Sequence, residues 1–459
     1  MYKIDFDHPI HVHFIGIGGI SMSGLAEILL QNGFTVSGSD AKESSLTERL
    51  AKKGARIQIG QRASNISGGI GLVVYTAAIH PDNPEYACAV ENGIPMLTRA
   101  ELLGQIMANY EMPIAVAGTH GKTTTTSMVS HILLEGGCDP TVTVGGILPA
   151  IGGNIRVGQS GNFVTEACEY TNSFLSFFPK ISIILNMDAD HLDFFRDIDH
   201  IRQSFRRFAQ LLPADGCLII NSDTPAYETI TEGLPCPVIT YGLDHPAGYT
   251  AADISFDGKG NPTFTCLRNG EKIGVFSLSV PGMHNVSNAL AAIALGERLD
   301  LDIAVIQKGL ANFPGTDRRF QYKGSVGGVT IIDDYAHHPT EIRATLTAAR
   351  DHLHKKLWCV FQPHTYTRTN ALLADFAQAL TLADHVVLSD IYAAREKNTI
   401  GITSKDLQKE IFKLGTPCDY FPTFDEIENF LLENCGQDDL LITMGAGDIV
   451  MVGEKLLGA

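Results

Sequence analysis

Seven consecutive residues carry the strongest chemical signal in the chain. Gly118, Thr119, His120, Gly121, Lys122, Thr123 and Thr124 follow an apolar run at 114–117 and precede a helix-like stretch. Glycines let backbone N–H groups face an anion, and a helix N-terminus adds a favourable field. At this spacing Lys122 suits the β- and γ-phosphates of a nucleoside triphosphate, and the Thr123 hydroxyl suits a Mg2+ ion. Val116 stands where the pattern G-x-x-x-x-G-K-[ST] has its first glycine.

A second glycine turn lies near the start. Gly16, Gly18, Gly19 and Gly24 follow the run at 11–15, with Ser21 in place of the third glycine of a dinucleotide fingerprint. Asp40 ends the next strand, where a ribose or base contact would fall. Either a tight turn without a ligand or a second nucleotide-like ligand fits this pattern. Glu166 and the Asp190–His191 pair each follow a strand, as metal ligands or as polar strand ends. Mg2+ takes hard ligands and keeps several waters, so one glutamate and one histidine near Thr123 would make a partial shell. Asn288 could read an adenine edge and Asn285 could cap a helix. Two further strand ends carry Asp333, Asp334, Tyr335, His337 and His338, and Gln362, His364 and Arg368. Such groups suit carboxylate recognition, with the arginine bidentate. His11 and His13 share a strand face without a third ligand and read as packing.

These residues need a scaffold, and the chain alternates short β-like runs with helical stretches, which predicts α/β layers. Strands are expected at 11–15, 34–37, 72–75, 114–117, 162–165, 182–185, 218–220, 329–332, 357–361, 386–388 and 440–443. Residues 251–280 alternate differently, with turns at Asp257-Gly258 and Asn269-Gly270. They predict antiparallel hairpins at the edge of an otherwise parallel sheet. The chain has 459 residues, which suggests three domains, and 44% hydrophobic residues, which excludes a largely disordered chain. Its 34 Lys and Arg against 51 Asp and Glu give a net charge of −17, which argues against nucleic-acid binding. The opening residues lack an apolar signal core and no run of 18 apolar residues occurs, so a cytoplasmic protein without a membrane span is expected. The nine cysteines are scattered without a C-x-x-C pair, as in a reducing compartment.

Taken together, the segments at 13–29, 118–126, 281–292, 333–341 and 361–369 resemble, in order and spacing, the Mur ligase family of peptidoglycan synthesis. The resemblance spans nearly the whole chain. It implies a Rossmann-like UDP-sugar domain (1–108), a central P-loop ATPase domain with a mainly parallel sheet and a small antiparallel part (109–314), and a C-terminal Rossmann-like domain (315–459). It implies an ATP-dependent amide ligation of L-alanine to the lactyl carboxylate of UDP-N-acetylmuramate through an acyl phosphate, serving cell wall biogenesis. ATP and Mg2+ are the cofactors it implies, with a monomer or weak homodimer. It assigns ATP to Gly118, Thr119, His120, Gly121, Lys122, Thr123, Thr124, Asn285, Asn288 and Arg319. Mg2+ falls to Thr123, Glu166 and His191, and the UDP-sugar to Gly16, Gly18, Gly19, Ser39, Asp40 and Thr76. Tyr335, His337 and Arg368 fall near the amino acid, with Lys122, His191, His337 and Arg368 catalytic. Closure of the C-terminal domain would exclude water from the acyl phosphate.

Two positions depart from the family pattern. Thr365 replaces an arginine common in relatives, and Cys168 interrupts an acid-rich run between Glu166 and Glu169. No lysine lies between His191 and Pro213, where ligases that add later residues carry a carbamylated one. That fits the alanine-adding branch or the recycling ligase that attaches a whole tripeptide. A folylpolyglutamate-type ligase, a nicotinamide oxidoreductase and a non-catalytic nucleotide-binding regulator each leave some of these motifs without a role.

Overall fold

The computed structural model describes residues 2–192 and 194–458. The chain forms two compact units. One comprises 1–126, 137–187 and 199–239, the other 127–136, 188–198 and 240–459.

The first unit holds a five-stranded sheet in the spatial order Arg56–Ile59, Thr35–Asp40, His11–Ile15, Leu72–Tyr75, Met96–Thr98. Every neighbouring pair is parallel. The order reverses between His11–Ile15 and Leu72–Tyr75, the place where open α/β sheets bind ligands beyond their strand ends. Gly16 and Thr76 are the residues that follow those two strands. The packing expected of His11 and His13 takes the form of a polar chain beneath the sheet. Both rings reach the Ser37 hydroxyl, at 2.8 and 2.9 Å, and His13 Nε2 lies 3.2 Å from the fully buried Glu85. The Ser39 hydroxyl and the Arg62 backbone N–H also donate to Glu85. Burial opposes the charge on Glu85, but His13, Ser39 and Asn65 hold its pKa below the ordinary value.

The same unit carries the parallel strands Cys217–Asn221, Ile181–Ile184, Met112–Ala117, Asn162–Ala167 and Thr141–Leu148, side by side in that order. Gly153–Arg156 closes this edge antiparallel to Thr141–Leu148, a hairpin the turn signals did not reveal. Met112–Ala117 is central and flanked by parallel strands on both sides, so the loop after it leaves from the middle of the sheet's carboxyl edge.

The second unit contains the expected hairpins, Tyr249–Phe256, Pro262–Arg268 and Glu271–Ser277, all antiparallel. The helices Met283–Arg298 and Ile303–Ala311 follow. Its other sheet runs Gln321–Val326, Val329–Asp334, Leu440–Met444, Leu357–Phe361, His385–Leu388, Cys418–Tyr420. Only the Gln321–Val326 edge is antiparallel. Successive residues point to opposite faces of a strand. Accordingly Ile332, Cys359 and Ile442 enter one core with Phe361 and Phe376, while Ile331, Val360 and Leu441 enter another with Trp358 and Ile427. Both faces are covered, which explains the unbroken apolar runs that made these strands readable.

Candidate active site

In the first unit the phosphate-loop signal becomes a strand–turn–helix. The strand runs through Ala117, so Val116 is paired in the ladder and the turn is shorter than the common pattern. Gly118 (φ +150°) and Gly121 (φ +82°) make the turn. A Cβ on Gly118 would lie 2.9 Å from Leu185 Cβ. Helix Lys122–Glu135 starts at the lysine itself. The Lys122 ammonium folds back over the turn, donating to the carbonyls of Gly118 and Thr119 and to Glu169 at 2.9 Å. Burial works against its charge, but Glu169, Cys168 and Glu166 hold its pKa above the ordinary lysine value. Asn186 clamps the turn from the neighbouring strand. Its side chain accepts from the His120 N–H at 2.8 Å and donates to the His120 carbonyl at 3.1 Å, and its carbonyl accepts from the Thr119 N–H.

Glu166 pairs in register with Val116, which puts its carboxylate beside the phosphate loop. One oxygen, Oε1, accepts from the Gly145 N–H. Among the described residues Oε2 takes no hydrogen bond. A hydroxyl and a carboxylate oxygen are the hard donors Mg2+ requires, so Thr123 and Glu166 fit that ion. The Cys168 thiol is pushed up in pKa by burial and by Glu169, and a neutral thiol does not compete for it.

The N-terminal glycine turn is held from within. The Ser39 carbonyl accepts from the N–H groups of Gly16 and Ile17, and Asp40 Oδ2 accepts from the Gly18 N–H at 2.8 Å. A Cβ on Gly18 would lie 2.8 Å from that oxygen, so the glycine lets the carboxylate approach. Ser39 thus serves the turn through its backbone, while its hydroxyl is spent on Glu85. Thr76 stands beside Gly16, and its hydroxyl accepts from the Ala78 N–H. Gly19 opens helix Ile20–Gln31.

In the second unit the segment bearing His191 is pinned to the last sheet. Asp188 accepts from the Thr340 hydroxyl, the His338 ring lies 3.3 Å from the Ala189 carbonyl, and Asp190 pairs with Arg368 at 3.0 Å. His191 itself has φ +52°. Burial opposes ionisation of Asp190, yet Arg368 and His191 hold its carboxyl far below the usual range. His338 caps helix Pro339–Arg350 by accepting from the Thr340 N–H.

His337 Nδ1 lies 3.0 Å from the Tyr335 carbonyl and 3.4 Å from Glu341. Both neighbours only accept, so Nδ1 carries the hydrogen and Nε2 keeps its lone pair. Burial lowers the pKa of His337 despite Glu341. Its ring faces His364 at 5.7 Å, and His364 stacks on Tyr392 and accepts from Arg368 at 3.2 Å. Burial, His337 and Arg368 lower His364 to about 4. The Tyr335 ring lies under both Arg318 and Arg319, at 4.9 and 5.3 Å. Arg318 spends its guanidinium on Asp333 and the carbonyls of Gly445 and Gly447. The nearest acid to Arg319 is Glu341 at 3.8 Å, which leaves Arg319 the more available. Burial raises the buried Asp334 to about 6, although it accepts from the N–H groups of Phe320 and Ala336.

Helix Met283–Arg298 is capped by Gly282, not by Asn285. Asn285 lies inside the first turn and donates to the Pro281 carbonyl at 2.8 Å, and Asn288 donates to Asn285 at 3.1 Å. The helix therefore starts three residues earlier than a capping Asn285 requires. Thr365 also has a structural task. It precedes helix Tyr366–Ala371 with φ +65°, and its carbonyl accepts from the Thr369 hydroxyl.

Phosphate loop, glycine turn and histidine–arginine cluster thus stand on three α/β sheets. The descriptions "Mur ligase family, catalytic domain", "Mur ligase middle domain" and "Mur ligase, glutamate ligase domain" match residues 11–111, 116–296 and 318–447. The chain belongs to the Mur ligase family. It is 63% identical to the UDP-N-acetylmuramate–L-alanine ligase of Agathobacter rectalis and 60% identical to that of Lachnospira eligens, over the full length of each. The crystal structure of a UDP-N-acetylmuramate–alanine ligase from Thermotoga maritima superposes with a TM-score of 0.80 at 31% identity, covering 98% of both chains. A murein peptide ligase from Psychrobacter arcticus gives 0.69 at 26% identity, again over 98% of both.

Proposed function

We propose that this chain is an ATP-dependent, ADP-forming ligase that joins L-alanine to the lactyl carboxylate of UDP-N-acetylmuramate. The carrying observation is the end-to-end likeness, at 63% identity, to a relative of that name. The domains taken for this reading are 1–108, 109–314 and 315–459, in a cytoplasmic monomer or weak homodimer. Among the described residues no helix is long and apolar enough to cross a membrane.

The backbone N–H groups of Gly16, Ile17 and Gly18 are used within their own turn, so the sugar nucleotide's diphosphate goes to the N-terminus of helix Ile20–Gln31 behind Gly19. Asp40 and Ser39 hold that turn, and Thr76 faces it. The glycines and hydroxyls from Gly118 to Thr124 cradle the ATP phosphates. Lys122 exchanges its loop carbonyls and Glu169 for the β- and γ-oxygens, stabilising charge as the phosphoryl group moves. Asn285, Asn288 and Arg319 serve the nucleotide. Thr123 and Glu166 would hold Mg2+ in the first unit, with His191 the further ligand this reading assigns, and the ion when bound would neutralise phosphate charge.

The carboxylate attacks the γ-phosphorus, ADP leaves, and an acyl phosphate forms. The neutral amine of alanine then attacks the acyl carbon, and the tetrahedral intermediate expels phosphate. His337, neutral with Nε2 open, is placed to take the proton the amine loses. Arg368 takes a carboxylate or acyl-phosphate oxygen, and Tyr335 lines the amino-acid side.

Phosphate release with ATP, Mg2+ and UDP-N-acetylmuramate tests the reading when L-alanine, glycine, L-serine or the L-Ala-D-Glu-diamino-acid tripeptide is added in turn. Release dependent on L-alanine is expected. The likeness to the murein peptide ligase favours one second reading, and release with the tripeptide alone would establish it.

A further inference from the structure

Within the first unit a cavity of about 260 Å³ opens between the two expected ligand sites. Ser21 and Leu25, just beyond the glycine turn, form one wall, and Gly145 and Glu166, beside the phosphate loop, form another. At about 30 Å³ per water the space equals about nine waters, room for one sugar-sized group. Arg99 and Cys168 also line it, and among the described residues Arg99 is its only cation.

Among the described residues nothing accounts for that cation. Arg99 is the first residue of helix Arg99–Met107, where the helix dipole disfavours positive charge. Burial lowers its pKa, yet a guanidinium stays charged. Among the described residues it makes no ion pair or hydrogen bond. Glu101, the acid closest in sequence, is committed to the backbone N–H and hydroxyl of Thr98. Glu166 is turned to Gly145. Cys168, close enough to feel both Lys122 and Arg99, is a neutral thiol. Arg99 is half-buried against the cavity, and a partly desolvated charge without a partner costs stability that a ligand's anion would recover.

We propose that Arg99 binds the lactyl carboxylate of the sugar nucleotide, with the cavity holding the sugar ring that carries it. This rests on the ligase reading above and adds the residue that separates a muramyl from a glucosaminyl nucleotide. Two anions must meet in the first chemical step, the carboxylate and the γ-phosphate. Lys122 offsets one charge, and Arg99 offsets the other while its planar fork fixes the carboxylate bidentately. A sugar with a hydroxyl in place of the lactyl ether gains nothing from Arg99, because it brings no carboxylate to the guanidinium.

Calorimetric titration of the full chain with UDP-N-acetylmuramate and UDP-N-acetylglucosamine tests this, using the wild type, Arg99→Gln and Arg99→Lys. Arg99→Gln should bind UDP-N-acetylmuramate at least about tenfold more weakly and leave UDP-N-acetylglucosamine within about twofold. Arg99→Lys should recover part of the difference. Equal weakening of both ligands would overturn the proposal, because the cation would then serve the shared diphosphate. An unchanged preference in Arg99→Gln would overturn it as well. A wild type that binds neither nucleotide would instead remove the ligase reading beneath it.

Discussion

The two glycine-rich loops of the first unit and the histidine–arginine cluster of the second build their tight turns with different residues. The first uses glycine at Gly16, Gly118 and Gly121, each with positive φ. In the second, four residues beside the histidine–arginine cluster hold positive φ with side chains attached: His191 at +52°, Arg318 at +60°, Phe320 at +47° and Thr365 at +65°. Such backbone is costly for residues with a Cβ, on the order of 1–3 kcal/mol each, and persists only where surrounding contacts enforce it. The contacts are visible. Arg318 is tied to Asp333 and two glycine carbonyls, the Phe320 N–H to Asp334, and the Thr365 N–H to the Tyr392 carbonyl. Where an anion must meet bare backbone, glycine suffices. Where a guanidinium or imidazole must be aimed, the side chain stays and the network bears the strain.

The comparison can be broken most forcefully at Lys122. Lys122→Ala should lower kcat by at least about 10³-fold, since it removes the charge facing the transferred phosphoryl group. UDP-sugar binding by calorimetry should survive, and full turnover would end the phosphate-loop assignment. Arg368→Ala should cost about 10²-fold in kcat/KM for alanine. Asp190→Asn, which removes only the carboxylate that aims Arg368, should cost less, about tenfold. An Asp190→Asn variant as damaged as Arg368→Ala would mean that Asp190 does more than position.

Smaller effects sharpen the contrast in backbone. Gly121→Ala forces a Cβ into φ +82° and should destabilise by about 1–2 kcal/mol in urea titration. Thr365→Gly should be neutral or stabilising by up to about 1 kcal/mol, because relieved strain exceeds the entropy glycine adds to the unfolded chain. A loss as large as that of Gly121→Ala would show that Thr365 is not strained.

The smallest expected effect concerns pH. His364 sits near pKa 4 when folded against an unfolded value near 6.5, so between these values the unfolded chain binds the extra proton. Stability contributed by neutral His364 is complete above about pH 6.5 and is lost as pH falls toward 4. Asp190, lowered in the fold, adds loss in the same direction at more acidic pH. His364→Gln should flatten the dependence of Tm on pH between 7 and 4.5, and an unchanged slope would place the titration elsewhere.

Much of the first unit was legible because its signals are local. A strand ending in glycines before a helix reads from neighbouring residues alone, and Gly118, Gly121 and Lys122 lie as expected. The hairpins at Asp257 and Asn269 were legible for the same reason. The missed residues act across the chain. Asn186 clamps His120 from 66 positions away, and Glu85 collects His13 and Ser39 beneath the sheet, while Asp190, singled out beside His191 as a strand-end acid, takes Arg368 as a partner across 178 positions. Nothing in their local context marks them as partners. Asn285 misled because asparagine is a good cap, while the helix in fact opens on Gly282. Thr365 read as a missing arginine, and the structure gives it a backbone task instead.

The central claim is an acyl phosphate formed on the lactyl carboxylate and resolved by alanine. Turnover with UDP-N-acetylmuramate carrying ¹⁸O in both carboxylate oxygens tests it most directly. The account predicts one labelled oxygen in each released phosphate and the other in the amide, because the bridging oxygen leaves with phosphorus. Unlabelled phosphate from a reaction that still consumed L-alanine would contradict it.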